Sequence, residues 1–344
     1  MLSRLRSLVA AFGARFGWNW VGYAIGLTIV AISVYVLSHL LQDIEWSGVL
    51  AAAKATPPSH IVAAILAIGG AYFTLSFYDL FALRVIGAKH VPYRIAALAS
   101  FTSYAIGHNI GATAFSGGAV RLRIYSYFRL GVIDVAKICF LTGLTFWIGN
   151  LVVLGTGMAY RPEVSSLILQ ISPGVIRAIG ITALIVLSAY IIWVGRARRS
   201  FGRKGWRVTL PGGYSTLIQV GIGIADLTFA SLAMYSLVPS APNDDFITVS
   251  IATVSATLLG FASHAPGSLG VFDAAMLVAL PDMSKEELVA ALIIYRVLYF
   301  MIPFAIALLI MAYWEVTLFL EGTRGEGRRK PLEVVGADER DRVE

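Results

Sequence analysis

Apolar positions along this chain gather into long unbroken runs; they neither alternate nor recur on one helical face. A helix rises about 1.5 Å per residue, so about 20 apolar residues cross the roughly 30 Å hydrocarbon core of a bilayer. Runs at 20–41, 60–83, 133–159, 174–195, 214–238 and 288–320 reach that length. Two more, 95–120 and 247–281, are broken by glycine, proline and polar residues. The pattern predicts an all-α polytopic membrane protein with about six full transmembrane helices and two segments that are not simple crossings. Ahead of them, Leu2, Leu5, Val9, Phe12 and Phe16 recur at helical spacing among Arg4, Arg6 and Arg15. Residues 1–18 are therefore expected to form an amphipathic helix in the interface. The run that follows is too long for a signal-peptide core and lacks a small-residue cleavage site, so it is expected to be retained.

Charge supports the membrane assignment and orients the spans. Only 14% of the residues are charged, against about 25% in soluble domains. The net charge of +7 comes from short loops, where the preference of basic residues for the cytoplasmic side explains it. No basic face with interleaved aromatics exists for nucleic acid. Cys139, the only cysteine, allows neither an internal disulfide nor a cysteine-built metal site. The strongest inside signal is the loop with Arg196, Arg198, Arg199, Arg203, Lys204 and Arg207, which holds no acid. A full crossing at 95–120 would put that loop, and also Arg121, Arg123 and Arg129, outside. A re-entrant hairpin entering and leaving by the cytoplasmic face removes both violations, with two arms of about a dozen residues and a tip rich in Gly107, Gly111, Gly117 and Gly118.

The second broken run lies between Asp244–Asp245 and Asp282, Glu286 and Glu287, with Pro266–Gly267 near its middle. It reads as a hairpin entering from outside. The expected plan is an inverted-topology repeat: span, span, hairpin, span in residues 19–159, and the same order with opposite orientation in 174–320. Together they make one transmembrane domain, 19–320, followed by a disordered cytosolic tail at 321–344. The expected location is a bacterial-type cell (inner) membrane, with both termini cytoplasmic.

Irregular backbone at membrane depth must be packed in protein or face a water-filled cavity. Two opposed hairpins can meet near the midplane and offer helix N-termini, which suit a phosphate; alternatively, their glycines simply allow close helix packing. Charged residues within spans are costly and usually face the interior with a partner or a task. Asp226 lies about midway along its span, and Asp79 towards the inner end of the corresponding earlier one. Arg296, flanked by Tyr295 and Tyr299, lies in the last span, and Asp273 in the second hairpin. Arg296 is read either as structural glue with one aspartate or as the ligand of a lipid phosphate. The aspartates then face a cationic group or take up protons. Arg121 and Arg123, closing the first hairpin, are open to a topological and snorkelling reading or to phosphate capture. His108 and His264 sit one in each hairpin, as packing residues or proton carriers, and nothing pairs them as metal ligands. Trp18, Trp20, Trp46 and Trp206 are expected as interfacial anchors.

These same residues carry a family resemblance. The stretches FYDLFALR (77–84), SGGAVRLRIYS (116–126), SHAPGSLGVFDA (263–274) and YRVLYFMIP (295–303) resemble the transmembrane flippase domain of the lysylphosphatidylglycerol synthetase/flippase family. The resemblance spans roughly residues 15–320 and is similar to stand-alone members lacking the synthase domain. It implies movement of aminoacylated phosphatidylglycerol between leaflets. The positions matching the family's motif are Asp79, Arg121, Arg123, His264, Asp273 and Arg296, with Gly117, Gly118, Gly267 and Gly270 and, less directly, Asp226. Pro266 completes the second stretch. Ser268 stands where a further glycine is usual, and Asp273 where glutamate is commoner. With only a charged tail after Leu320, this chain is not expected to be the aminoacyl-lipid synthase itself.

The expected function is a phospholipid or aminoacyl-phospholipid translocase without a cofactor or metal. Its partners would be membrane lipids, a second copy of the chain, or a separately encoded lipid-modifying enzyme. Two other classes stand beside it. A small-solute or ion transporter fits an inverted repeat equally. An intramembrane lipid-modifying enzyme lacks a His-Glu-x-x-His pair and a Gly-x-Ser-x-Gly elbow.

Overall fold

The computed structural model describes residues 35–326, apart from 40, 43, 112, 198, 204–205 and 239–244. The expected interfacial helix, most of the first span, Trp18, Trp20 and the end of the tail lie outside the described residues. The architecture is an all-α membrane protein in which, among the described residues, six helices are long and apolar enough to cross a bilayer. In chain order the helices are α1 (Trp46–Ala55), α2 (Pro58–Val85), α3 (Tyr93–Ile110), α4 (Thr113–Tyr125), α5 (Val132–Tyr160), α6 (Pro162–Leu169) and α7 (Pro173–Arg196). After a two-stranded antiparallel ribbon, β1 (Ser200–Arg203) and β2 (Trp206–Thr209), come α8 (Tyr214–Leu237), α9 (Phe246–Ser263) and α10 (Val271–Ala279). The last stretch runs as α11 (Lys285–Tyr295), a π turn (Arg296–Met301) and α12 (Ile302–Glu326).

Local chemistry explains the boundaries. Proline opens α2, α6 and α7 at their first position, where the missing N–H costs nothing. Asp245 caps α9 by accepting a hydrogen bond from the Thr248 N–H at 3.0 Å. α3 ends at Gly111, whose φ of 85° favours glycine.

Burial follows the logic of a protein dissolved in lipid. Pro173–Arg196, the most apolar of the six spans, has 17% of its residues buried, whereas the less apolar Phe246–Ser263 has 61%. In water that order would be reversed. Leu66, Phe73, Ile185 and Leu309 remain exposed, on a surface more apolar than a soluble monomer tolerates. The polar side chains turn inward instead: Asp79, Thr145, Gln219, Asp226 and Thr253 are all buried.

The broadest helix pair is α2 against α8, the two spans that carry Asp79 and Asp226. Beside it, α5 crosses α8 at Gly149 and Gly223. A methyl group on Gly149 would lie 2.7 Å from the Gly223 backbone, and one on Gly223 would lie 2.8 Å from the Gly149 Cα. Only two glycines permit this approach.

Contacts between connections sort them onto two ends of the helix stack. At one end His90 Nε2 meets the Phe128 carbonyl at 2.9 Å, Val208 of the ribbon packs with Leu83, Val91 and Tyr125, and Arg123 pairs with Glu315. The chain therefore starts α3 and finishes α4 at that same end. At the other, Arg161 pairs with Asp245 at 2.9 Å and Gly48 abuts Glu286.

Several details differ from the sequence reading. The first broken run has a first arm of 18 residues, not about a dozen, and α9 of the second is by itself long and apolar enough to cross a bilayer. In the first run α3 ends at Ile110 and α4 starts at Thr113, so Gly117 and Gly118 lie within α4 and not at a tip. The loop at 46–55 is a helix, the basic loop after α7 holds a β ribbon, and the last helix continues to Glu326.

Replacing Gly223 by Leu is expected to separate α5 from α8 and cost at least about 1–3 kcal/mol. Gly221→Leu, where a side chain meets nothing within 4 Å, should be tolerated. Heat-induced unfolding of the two variants in detergent checks this; equal midpoints would contradict the crossing.

Candidate functional site

The two helix breaks meet. A side chain on Gly111 would lie 3.2 Å from the His264 carbonyl oxygen and 3.6 Å from the Pro266 Cα. Asn109, two residues before the first break, donates to the carbonyls of Ala105 and, at 3.3 Å, of Phe300 in the π turn. The second break, from His264 to Gly270, contains two non-glycine residues at positive φ, His264 (55°) and Ser268 (52°). Such conformations cost about 1–3 kcal/mol each and persist only when the surroundings impose them.

Arg296 does the imposing. Its Nε and Nη2 donate to Asp273 at 2.9 and 2.6 Å, its Nη1 to the Gly267 carbonyl at 2.9 Å, and its Nη2 also to the Ser268 carbonyl at 3.3 Å. Asp273 in turn accepts from the Gly270 N–H at 3.0 Å, capping α10. Four of the five guanidinium N–H groups are thus spent inside the protein. Of the two sequence readings of Arg296, this geometry matches the glue: it satisfies the carbonyls that the break strands at membrane depth.

Asp79 is fully buried. Arg121 grips it from α4 through Nε (3.1 and 2.9 Å) and Nη2 (2.8 Å), and the Tyr125 hydroxyl donates to it at 2.7 Å. Arg123, two residues on, is exposed and paired with Glu315. Gly117 packs 3.0 Å from the Ser103 carbonyl, measured from the position of a methyl group, and Gly118 is 3.6 Å from Cys139 Sγ. Both glycines bring α4 close to its neighbours and contribute no polar group.

Beside the meeting point of the breaks is a cavity of about 440 Å³. Its polar lining includes Arg121, His108, His264, Ser103, Tyr78 and Tyr104, and its apolar lining Phe115, Phe146, Trp147 and Phe261. Phe115 and Trp147 are 83% and 55% exposed on the outer surface, so the cavity opens sideways between α4 and α5. Trp147 is the sixteenth residue of the 29-residue α5, which sets that mouth about halfway along the helix. A second cavity of about 30 Å³ adjoins it across Tyr104, His108 and Phe146, and is lined by Asp226, Tyr295 and Tyr299. Asp226 accepts one hydrogen bond, from the Tyr78 hydroxyl at 2.9 Å.

Of the residues singled out from sequence, the structure therefore gathers Arg121, His108 and His264 on the larger cavity and Asp226, Tyr295 and Tyr299 on the smaller. Asp79 stands behind Arg121. Asp273, Arg296, Gly267 and Gly270 build the break, with Pro266 at its centre. Arg123 lies outside both cavities. The sequence reading missed Phe115, Phe146, Trp147 and Thr253. Trp147 had a legible signal, because a tryptophan in mid-span is far from the interfacial belt where that residue usually sits.

Removing Arg121 alone leaves a buried carboxylate unpaired, a loss of about 3–5 kcal/mol. Arg121→Gln should therefore unfold at markedly lower temperature than wild type, and Asp79→Asn on top of it should restore part of the loss. Additive effects in that double-mutant cycle would contradict the pairing.

Comparison with known proteins places these features among membrane proteins. The chain is 28% identical over 294 residues to the uncharacterized protein slr0712 of Synechocystis sp., covering 85% of this chain and 91% of that protein. It is 26% identical over 291 residues to the inner membrane protein YbhN of Escherichia coli, covering 82% and 88%. With the phosphatidylglycerol lysyltransferase of Staphylococcus haemolyticus it shares 27% identity over 289 residues, 81% of this chain but 32% of that enzyme. No protein-family model matches. The six apolar helices and these relatives make the chain a multi-pass membrane protein.

Proposed function

We propose that this protein is a lipid translocase that passes a phospholipid head group, of the phosphatidylglycerol or aminoacyl-phosphatidylglycerol type, between leaflets. The carrying observation is the sideways mouth of the larger cavity at mid-depth, with Arg121 and two histidines inside and lipid-facing aromatics at its rim. A water-soluble solute has no reason to pass through a wall that faces hydrocarbon; a lipid must, because its acyl chains stay in the bilayer while its head group crosses. A cavity of about 440 Å³ holds a head group and excludes two acyl chains. Arg121, although paired with Asp79 through Nε and Nη2, lines the cavity and offers phosphate its Nη1 edge, whereas Arg296 lines neither cavity. The similarity to part of a phosphatidylglycerol lysyltransferase supports a lipid of that class. On this reading the segments 93–125 and 246–279 are re-entrant hairpins of an inverted repeat, and alternate exposure of the shared cavity moves the head group. The protein catalyses no covalent change, sits in a bacterial inner membrane, and has both termini in the cytoplasm.

Gly143 lines the cavity, and a side chain there meets nothing within 4 Å. Gly143→Phe is expected to fold normally and to slow transbilayer exchange by at least about tenfold, a barrier increase of about 1.4 kcal/mol. Purified protein in vesicles with fluorescent phosphatidylglycerol and lysyl-phosphatidylglycerol provides the measurement. Exchange no faster than in protein-free vesicles for either lipid, or uptake of a soluble solute without exchange, would defeat the reading.

A further inference from the structure

Among the described residues, 11 buried side-chain polar atoms have no protein hydrogen-bond partner. Three of them belong to residues lining the same 30 Å³ cavity: Asp226 Oδ1 from α8, Thr253 Oγ1 from α9 and His108 Nε2 from α3. Buried polar atoms normally find partners, and isolated exceptions are scattered. Three converging from separate helices describe a ligand site. A volume of this size has room for about one or two waters.

The chemistry narrows the ligand. Asp226 is 3% exposed, and among the described residues no arginine, lysine or histidine forms an ion pair with it. Its contrast with Asp79 and Asp273, each gripped by a guanidinium, is plain. The titratable side chains that face it are Tyr78 and Tyr72 from α2, Tyr104 and His108 from α3, and Tyr295 and Tyr299 from α11 and the π turn. α5 and α9 offer only Phe146, Val254 and the hydroxyls of Thr253 and Thr257 to the cavity. Nearby Arg121 and Arg296 are already committed to Asp79 and Asp273. The missing positive charge must come from a small cation. His108 Nδ1 lies 3.3 Å from the Tyr104 carbonyl, which can only accept, so Nδ1 carries the hydrogen and Nε2 is an acceptor. A carboxylate oxygen and a ring nitrogen suit a proton better than a metal ion such as sodium, which seeks a shell of oxygens.

We propose that Asp226, Thr253 and His108 form a proton-binding site whose loading drives lipid movement, with His108 the shared wall between the proton site and the lipid cavity. In the binding step hydronium transfers one proton to Asp226 Oδ1. An O–H bond forms, the carboxylate becomes a neutral acid, and the water left behind bridges Thr253 Oγ1 and His108 Nε2. The binding step stands on the site alone; its coupling to transport rests on the translocase reading.

Infrared titration of the full-length protein in lipid nanodiscs tests the site without any transport assay. The expected result is a carbonyl band of a protonated acid that grows as pH falls, is lost in Asp226→Asn, shifts its midpoint in the near-isosteric Thr253→Val, and ignores sodium at constant pH. A band unchanged by Asp226→Asn in a monodisperse sample, or a midpoint that moves with sodium, overturns the proton site. In vesicles, a pH gradient should bias lipid exchange in wild type and lose that bias in Asp226→Asn. Gradient-independent exchange overturns the coupling. If the titrating band is present but no lipid moves under any gradient, the proton site is upheld and the translocase reading fails.

Discussion

Hydrocarbon offers no hydrogen bond to a stranded carbonyl or amide, so each place where the chain stops being helical inside the bilayer has to be closed by protein. Most of the middle of this structure follows from that requirement. The carbonyls of Gly267 and Ser268 are taken up by Arg296, and Arg296 can be there only because Asp273 neutralises it. In the π turn at Arg296–Met301 the Phe300 carbonyl accepts from Asn109, beside the other break. Gly111 then has to be a glycine, both for its φ and because the His264 backbone presses against it. The breaks are thus mutually supporting, and polar surface is concentrated at mid-depth where the two meet.

Three acids are placed in this apolar body, and each is handled differently. Asp79 has a guanidinium on two edges and a tyrosine hydroxyl. Asp273 has a guanidinium and a helix-cap amide. Asp226 has a single tyrosine hydroxyl. An ion pair that removes both charges from the hydrocarbon is a structural solution. An acid left without a cation is expensive unless something mobile completes it. Asp79 and Asp226 lie on the pair of helices with the broadest mutual contact, so their different treatment introduces an asymmetry at the centre of an otherwise balanced pair.

The spans were legible in the sequence because lipid demands length and apolarity together, and both can be counted along the chain. The breaks were legible because glycine, proline and polar residues interrupt those counts. Side-chain partners were not. Arg121 and Arg123 look equivalent in sequence, yet two residues along a helix turn the side chain by about 200°. One consequently reaches buried Asp79, while the other meets Glu315 on an exposed face. Arg296 was open to two roles because choosing between them depends on where the 263–274 stretch folds back. The short helix at Trp46–Ala55 and the ribbon at 200–209 lie in connections whose apolar runs are too short for the length criterion, and so they escaped it. The cavity itself escaped as well, since its walls come from five helices, α2, α3, α4, α5 and α9, spread along the chain.

The position of His108 connects these strands. It stacks on Tyr104, with ring centroids 3.8 Å apart, and meets Phe261 edge-on at 4.8 Å, so aromatic packing holds the imidazole on the partition between the two cavities. Phe261 lies three residues before His264, where the second break begins, and shares α9 with Thr253. Any movement of α9 that opens or closes the larger cavity along Gly260 and Phe261 therefore also displaces Thr253 from the smaller one. A rigid 18-residue helix cannot do one without the other. Charge placed on or removed from Asp226 faces, across the smaller cavity, the same helix that borders the larger one. Coupling between the two needs no path longer than one helix and one ring.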